Sequence, residues 1–223
     1  MQRMNLLSFR ALFIVLLILM ILPPFSFSSD AIPPREIVSA AQQGIETFVR
    51  GPRVQNLHKF GFFNQRQIDE AALGEGFQVF TIPPDRLLSQ ESPQDIDALA
   101  LPTSLWQFLV VTGGKATSLL TVDLFNDRWT AVSMGASGLA TELEILLEAW
   151  PLSAGYHYRL LRVYQAKSDF IEILQGGRMI GMVPFTSCRM AMNLENREFD
   201  PLDLHDPAEI LTKLQPIVRM NIQ

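Results

Sequence analysis

Cys188 is the only cysteine of the chain and the residue with the clearest chemical potential. A thiolate beside a histidine acts as a nucleophile, and a neighbouring cation such as Arg189 favours the thiolate form. Cys188 together with His157 or His205 is therefore a candidate catalytic set. A structural role is the alternative that we favour, because free cysteines are among the most buried residues in proteins. Since a lone cysteine forms no intramolecular disulfide, the core alone must hold the fold together.

Four possible oxygen ligands for a metal ion lie close together near the C terminus, at Asp200, Asp203, Asp206 and Glu209. Their number would suit calcium, but the segment lacks the glycine and the ligand spacing of an EF-hand loop. Capping of a final helix explains Asp206 and Glu209 without a metal. We therefore expect no metal and no cofactor, and keep these four residues as the candidate ligands. No zinc-binding spacing connects the three histidines, His58, His157 and His205.

Two glycine pairs precede a basic residue, in Gly113-Gly114-Lys115 and Gly176-Gly177-Arg178. Backbone amides beside a cation can hold an anion, yet neither pair belongs to a phosphate-binding motif that runs from strand to helix. Tight hairpin turns also explain both pairs, because glycine adopts the positive φ angles that such turns need. The small residues of Met134–Gly138 form a strand-to-helix junction whose amides can meet a carboxylate, although Ser137 is also explained as a helix cap.

The charge balance argues against polyanionic partners. The chain has 18 Lys and Arg against 23 Asp and Glu, which gives a formal net charge of −5, and its basic residues form no cluster. Nucleic acids and anionic membrane surfaces are therefore poor candidates, since clustered cations bind both. An envelope protein, a peptide or a small ligand remains as the expected partner.

Residues 1–28 are typical of a secretory signal peptide. Two arginines supply its positive start, Ala11–Leu22 is an unbroken apolar run, and small residues around Ser28 suit cleavage. A spanning helix needs about 20 apolar residues, so this run is short, and a retained anchor is the alternative. We expect the mature chain to be periplasmic or secreted in a bacterium, with only transient membrane contact through the signal peptide.

Residues 29–104 are predicted to form an N-terminal segment with two helices, one strand and a loop. Apolar residues recur at helical spacing over 37–49, and a second helix over 64–73 has Gly74 as its expected stop. A strand is predicted at 77–82. A surface loop or an interdomain connection is predicted at 85–103.

Residues 105–223 are predicted to form an α+β domain. Two sets of three β-rich runs, joined by tight turns, predict two antiparallel three-stranded meanders. A helix follows each meander, at Ser137–Trp150 with its stripe of leucines and again after Asp206. The units 105–150 and 156–218 are possible copies of a β-β-β-α repeat, and the whole mature chain is expected to be one globular unit.

No set of residues in the sequence converges on a known reaction. The pattern favours an exported, non-enzymatic binding or interaction module whose ligand the sequence does not specify. The alternative is a secreted hydrolase or thiol enzyme of unfamiliar type that uses Cys188 or the acidic cluster around His205, because catalytic groups need only meet in space.

Removal of residues 1–28 is testable by intact-mass measurement of the exported protein. We expect a mass that corresponds to a start near Ser29, because the small residues before it suit a signal peptidase. Recovery of a membrane-embedded chain that still carries Arg3 and Arg10 would contradict the cleavage.

Overall fold

The computed structural model describes residues 32–51, 57–91, 95–194 and 196–222, so the predicted signal peptide lies outside the described residues. Its centre is one seven-stranded sheet. The strands are β1 (Ala72–Thr81), β2 (Leu101–Thr112), β3 (Lys115–Phe125), β4 (Arg128–Gly135), β5 (Tyr156–Val163), β6 (Ser168–Gln175) and β7 (Arg178–Pro184). Their order across the sheet is β4-β3-β2-β1-β5-β6-β7.

Helices cover both faces of this sheet. They are α1 (Arg35–Phe48), α2 (Gln65–Asp69), α3 (Pro84–Leu88), α4 (Ile96–Leu99), α5 (Ser137–Ala149), α6 (Thr186–Ala191) and α7 (Pro207–Asn221). A short 3-10 helix occupies Leu57–Phe60. Within the described ranges, the helices are all too short or too polar to cross a bilayer.

The α+β class is confirmed, but the predicted layout of two three-stranded meanders does not describe the sheet well. Strand β1 pairs antiparallel with β2, where Phe77 lies opposite Gln107, and parallel with β5, where Val79 lies opposite Leu160. The sheet is therefore mixed and continuous. The periodicity of each strand predicted its existence, whereas the pairing of β1 depends on contacts between distant parts of the chain.

The N-terminal two-helix segment also departs from the prediction. Asn64 caps α2, since its side chain accepts from the backbone amide of Gln67, but α2 ends at Asp69 and β1 starts at Ala72. Gly74 is a strand residue instead of a helix stop. A β-carbon at Gly74 would lie 2.8 Å from Cγ2 of Val111, so the glycine permits close approach of β2.

Residues 84–91 and 95–99, which we call the strap, contain two short helices where a surface loop or connection was predicted. Helices α3 and α4 bury Leu87, Ile96 and Leu99 in one core cluster with residues of α7. The side-chain amide of Gln215 on α7 donates to the backbone carbonyl of Leu87 at 2.9 Å. Although many residues of the strap are polar, these three apolar side chains attach it to the core.

Helix α5 covers the face of the sheet opposite α7. Alternate residues of β1 divide between the two faces: Phe77 and Val79 belong to the cluster under α5, whereas Phe80 packs in the cluster under α7. On α5, Leu143 and Leu146 are fully buried, which is the leucine stripe that the sequence predicts. This stripe makes α5 part of the main core.

The two edges of the sheet differ. The backbone groups of His205 and Met182 exchange two hydrogen bonds, 2.8 and 3.0 Å long, and this bridge covers the outer edge of β7. At the other edge, β4 pairs with β3 alone among the described residues. Val132 is an extra residue in β4, because Ser133 and Ala131 face consecutive residues of β3. The strand therefore carries a β-bulge.

Replacing Leu143 by Ala should lower the free energy of unfolding by about 2–5 kcal/mol, because it removes methyl groups from a fully buried position and leaves a cavity. Urea unfolding followed by circular dichroism measures the loss. The exposed Glu148→Gln on the same helix is the control and should change stability by less than about 0.5 kcal/mol. Equal midpoints for the two variants would mean that α5 is peripheral.

Candidate functional site

Cys188 is fully buried on α6, in the core cluster that also contains Phe170 and Leu214. Burial raises the pKa of the Cys188 thiol, and neither its hydrogen bond with Ser168 nor the nearby Arg189 reverses the effect. A thiol in this setting stays protonated and inaccessible, which is the behaviour of a packing residue.

The two histidines proposed to assist Cys188 have other positions. His157 lies on β5, opposite Leu174 of β6. In His205, Nε2 lies 3.1 Å from Asp203 and Nδ1 lies 4.0 Å from Glu209. Because both ring nitrogens of His205 face carboxylates, this histidine is not oriented to activate a thiol.

Arg189 has a structural role that the sequence did not predict. Its buried guanidinium donates to the carbonyls of Pro184 and Asn196 and, at 2.7 Å, to the carboxylate of Asp203. Burial opposes ionisation of Asp203, but the hydrogen bonds from Arg189 and His205 outweigh it and lower the pKa of Asp203. Arg189 therefore ties the chain after α6 to the core instead of activating Cys188.

The four candidate metal ligands make separate structural contacts. Asp200 accepts from the amide of Leu202, Asp206 caps α7 through the amide of Ala208, and Glu209 pairs with Lys213 at 2.6 Å. Asp203 is held by Arg189, as described above. Over the described ranges, three or more His, Cys, Asp or Glu side chains nowhere assemble into a possible metal site.

A partly buried ion cluster that the sequence patterns do not indicate joins the strap to the sheet. Arg159 of β5 donates to Glu172 of β6 and to Asp97 of α4, and its guanidinium lies over the ring of Phe80. Glu172 is fully buried, and its Oε1 has no hydrogen-bond partner among the described residues. Burial raises the pKa of Glu172 to about 7, although the Arg159 cation opposes the shift. One guanidinium thus serves two carboxylates, which leaves a net negative charge when both are ionised.

Three segments that are distant in sequence meet around a cleft of about 370 Å³ at the end of the sheet where β2 turns into β3. They are residues 58–67, residues 112–117 and residues 137–141. We call this the hairpin cleft. It contains both the Gly-Gly-Lys turn and the start of α5, which the sequence analysis singled out separately.

The β2–β3 turn forms one side of the hairpin cleft. Gly113 and Gly114 have φ angles of 57° and 80°, which confirms the tight hairpin turn. The hydroxyls of Thr112 and Thr117 lie 2.7 Å apart across the hairpin. These contacts fix the strand ends, so Lys115 projects from a rigid turn.

The junction between β4 and α5 forms a second side. Ala136 has a φ angle of 55° and provides no side-chain cap, so the predicted cap at Ser137 is wrong: Ser137 is the first residue of the helix. The hydroxyl of Thr141 donates to the carbonyl of Ser137 at 3.1 Å. Ser137 and Thr141 are one turn apart on α5, and both line the cleft beside the hairpin.

Residues 58–67 form the third side. A β-carbon at Gly61 would lie 2.6 Å from the carbonyl oxygen of Thr117, so only glycine allows this segment to approach β3 so closely. The amide of Phe63 donates to Oε1 of Gln67 at 2.6 Å. The rings of His58 and Phe63 have centroids 5.5 Å apart.

The charge of the hairpin cleft distinguishes it from its surroundings. The described residues that line it include Lys115 and His58 but no Asp or Glu. Two carboxylates lie beside the lining: Glu70 pairs with Arg66, whereas Glu144 accepts from the amide of Ala116, a bond that does not cancel its charge. By contrast, a larger groove of about 490 Å³ beside α1 is lined by two acids and two bases, Arg35, Glu36, Asp127 and Arg128.

Sequence reasoning found part of the hairpin cleft. It noted Lys115 beside paired glycines and the small residues before α5, but gave both a purely structural explanation as well. It treated His58 as an isolated histidine and did not single out Phe63. The one hint in the sequence is Gly61, two residues before Phe63. A close approach of this glycine to β3 becomes visible only in the structure.

Comparisons of the chain with protein-family models, with curated proteins and with solved structures find no match. The fold therefore brings no function with it by similarity. Any function has to be argued from the residues of a site.

Replacing Glu172 by Gln should make the free energy of unfolding less dependent on pH. The pKa of Glu172 rises from its ordinary value of 4.5 to about 7 on folding, so the folded state binds this proton more tightly. Wild-type protein has this stabilisation in full below pH 4.5 and loses it as the pH rises through 7, by up to about 1.4 kcal/mol per pH unit. Urea unfolding at a series of pH values measures the loss.

The exposed Glu198→Gln is the matched control and should follow the wild type at every pH. A difference between Glu172→Gln and wild type that stays constant between about pH 5 and pH 7 would contradict the raised pKa.

Proposed function

We propose that this chain is an exported, non-enzymatic binding module that takes a small anionic ligand in the hairpin cleft. The observation that carries the proposal is the charge of the lining. Among its described residues, Lys115 carries the charge and no carboxylate is present, in a chain whose formal net charge is −5. A cleft whose lining carries a cation and no acid attracts anions locally, even on a protein that is acidic as a whole.

The polar groups of the cleft suit an anion of modest size. Lys115 supplies a charge, and Ser137 adds a hydroxyl to the lining. The hydroxyl of Thr117 is already bonded to Thr112 and to the carbonyl of Lys115. A pair of opposite charges 4 Å apart is worth about 1 kcal/mol in bulk water and several-fold more near a protein surface that excludes water. Ligand pockets usually have volumes of about 300–1,000 Å³, so a cleft of about 370 Å³ suits a small molecule or the end of a chain.

Rigidity also supports binding. Each of the three segments has an internal hydrogen bond: between the hydroxyls of Thr112 and Thr117, from the amide of Phe63 to Gln67, and from Thr141 to the carbonyl of Ser137. A site that is already formed loses little conformational entropy when a ligand binds.

The alternative enzyme has no supporting geometry in the described part of the chain. Cys188 is buried with a raised pKa, and both ring nitrogens of His205 face carboxylates. The acidic residues near His205 cap α7 or pair with basic side chains. These contacts explain the candidate residues without a reaction.

Titration of ¹⁵N-labelled exported protein with sodium acetate, at constant ionic strength, tests the proposal. We expect chemical-shift changes at residues of the hairpin cleft, such as Thr117 and Ser137. Lys115→Met should weaken acetate binding about tenfold, equivalent to about 1.4 kcal/mol, because it removes the charge and keeps the length of the side chain.

Arg178→Met is the matched control for this experiment. Arg178 is the first residue of β7, directly after the second glycine pair, and does not line the hairpin cleft. Its replacement should leave acetate binding unchanged. Shifts spread over all basic residues, or equal weakening by the two variants, would overturn the proposal.

A further inference from the structure

We infer that the ligand of the hairpin cleft is an aromatic carboxylate, with its ring against Phe63 and His58 and its carboxylate toward Lys115. This inference rests on the proposed function, because it names the class of anion that the same cleft takes. Two sources share this chemistry: a free aromatic acid, and the C terminus of a polypeptide that ends in an aromatic residue.

The exposure of Phe63 is the first observation. Its neighbour Phe62 is 1% exposed and anchors the segment in the core, whereas Phe63 is 66% exposed and lines the cleft. A large aromatic side chain gains little stability for the fold in that position, because most of its surface remains in water. The surface of Phe63 is thus available to a ligand.

The second observation is that Phe63 is held in place. Its amide donates to Gln67, whose own amide donates to the Asn64 side chain at 3.0 Å, so the residue belongs to a capped turn. The contact of Gly61 with Thr117 fastens the start of this turn to β3. Its fixed backbone lets the Phe63 ring bind a flat group at a small cost in entropy.

His58 extends the aromatic surface. Its ring is tilted by 54° relative to that of Phe63, with the two centroids 5.5 Å apart. Aromatic groups favour such offset and tilted arrangements, each worth about 0.5–1.5 kcal/mol beyond the area that is buried. A ligand ring therefore finds two aromatic partners at one wall.

The other two segments supply the polar contacts. Lys115 of the hairpin and Ser137 of α5 line the cleft, so its charge and a hydroxyl come from these two segments. The aromatic side chains belong to residues 58–67 and the charged side chain to the hairpin, so the lining combines both chemistries. A ligand that matches both must be flat and apolar at one end and anionic at the other, and the volume of about 370 Å³ allows one ring with a short chain.

Three probes of equal charge test this inference by NMR titration: acetate, cyclohexanecarboxylate and benzoate. We expect benzoate to bind about tenfold more tightly than acetate, and cyclohexanecarboxylate, which has no π face, to bind less tightly than benzoate. Phe63→Ala should reduce benzoate affinity to that of acetate measured on the same variant. The conservative Phe63→Tyr should keep the benzoate preference.

The outcomes separate this inference from the proposed function. If acetate and benzoate both fail to shift the cleft residues, the proposed function itself is overturned. If both bind with equal affinity, or if cyclohexanecarboxylate binds as tightly as benzoate, only the aromatic preference is wrong. A benzoate preference that survives Phe63→Ala would also overturn the assignment of the ring to Phe63.

A final comparison distinguishes the two sources. The tripeptide Gly-Gly-Phe with a free carboxylate is compared with 3-phenylpropanoate and with the amidated tripeptide. Tighter binding of the free-acid peptide assigns the cleft to a polypeptide C terminus, and tighter binding of 3-phenylpropanoate assigns it to a free acid. Binding of the amidated peptide as tight as that of the free-acid peptide would contradict recognition of the carboxylate.

Discussion

The pairing of β1 with both β2 and β5 is the constraint on which the rest of the structure depends. Without β1, the strands before α5 and those after it would be two small sheets, each with an additional open edge. Leu160 on β5 follows Val79 on β1 by about eighty residues, so this parallel contact closes a long loop. Closing such a loop is entropically costly, and burial on both faces of β1 has to offset that cost. The core clusters under α5 and α7 both include side chains of β1, and their burial opposes the entropic cost of closing the loop.

Local patterns in the sequence were sufficient for much of the fold. The cap at Asp206, the leucine stripe of α5 and the Gly-Gly turns all depend on residues within a few positions of each other, and the structure contains each of them. Gly74 was misinterpreted because a glycine marks both a helix end and a close approach of two strands. Only the position of Val111 on β2 decides between them. The parallel pairing of β1 was likewise invisible, since strand periodicity does not specify a partner.

For the candidate site, too, the sequence indicated single residues, whereas their arrangement depends on contacts between distant parts of the chain. The sequence brought attention to Lys115 and to the junction before α5, but the structure was needed to place them at one cleft with Phe63. Cys188 and His205 received attention because of their reactive side chains, yet the environment determines reactivity. Burial around Cys188 and the carboxylates around His205 are properties of the folded chain. Residue type alone therefore pointed to the less suitable site.

The bulge at Val132 has a consequence for how molecules of this protein behave at high concentration. An edge strand with a regular row of free amides and carbonyls can template pairing with another chain, which is a common route to aggregation. The extra residue in β4 interrupts the regular alternation of free amides and carbonyls along that edge. At the other edge, the bridge to His205 occupies the outer side of β7 at Met182. Both ends of the sheet are therefore poor templates for intermolecular strand addition. In the folded molecule, these irregular edges oppose the self-association that unpaired strand edges promote.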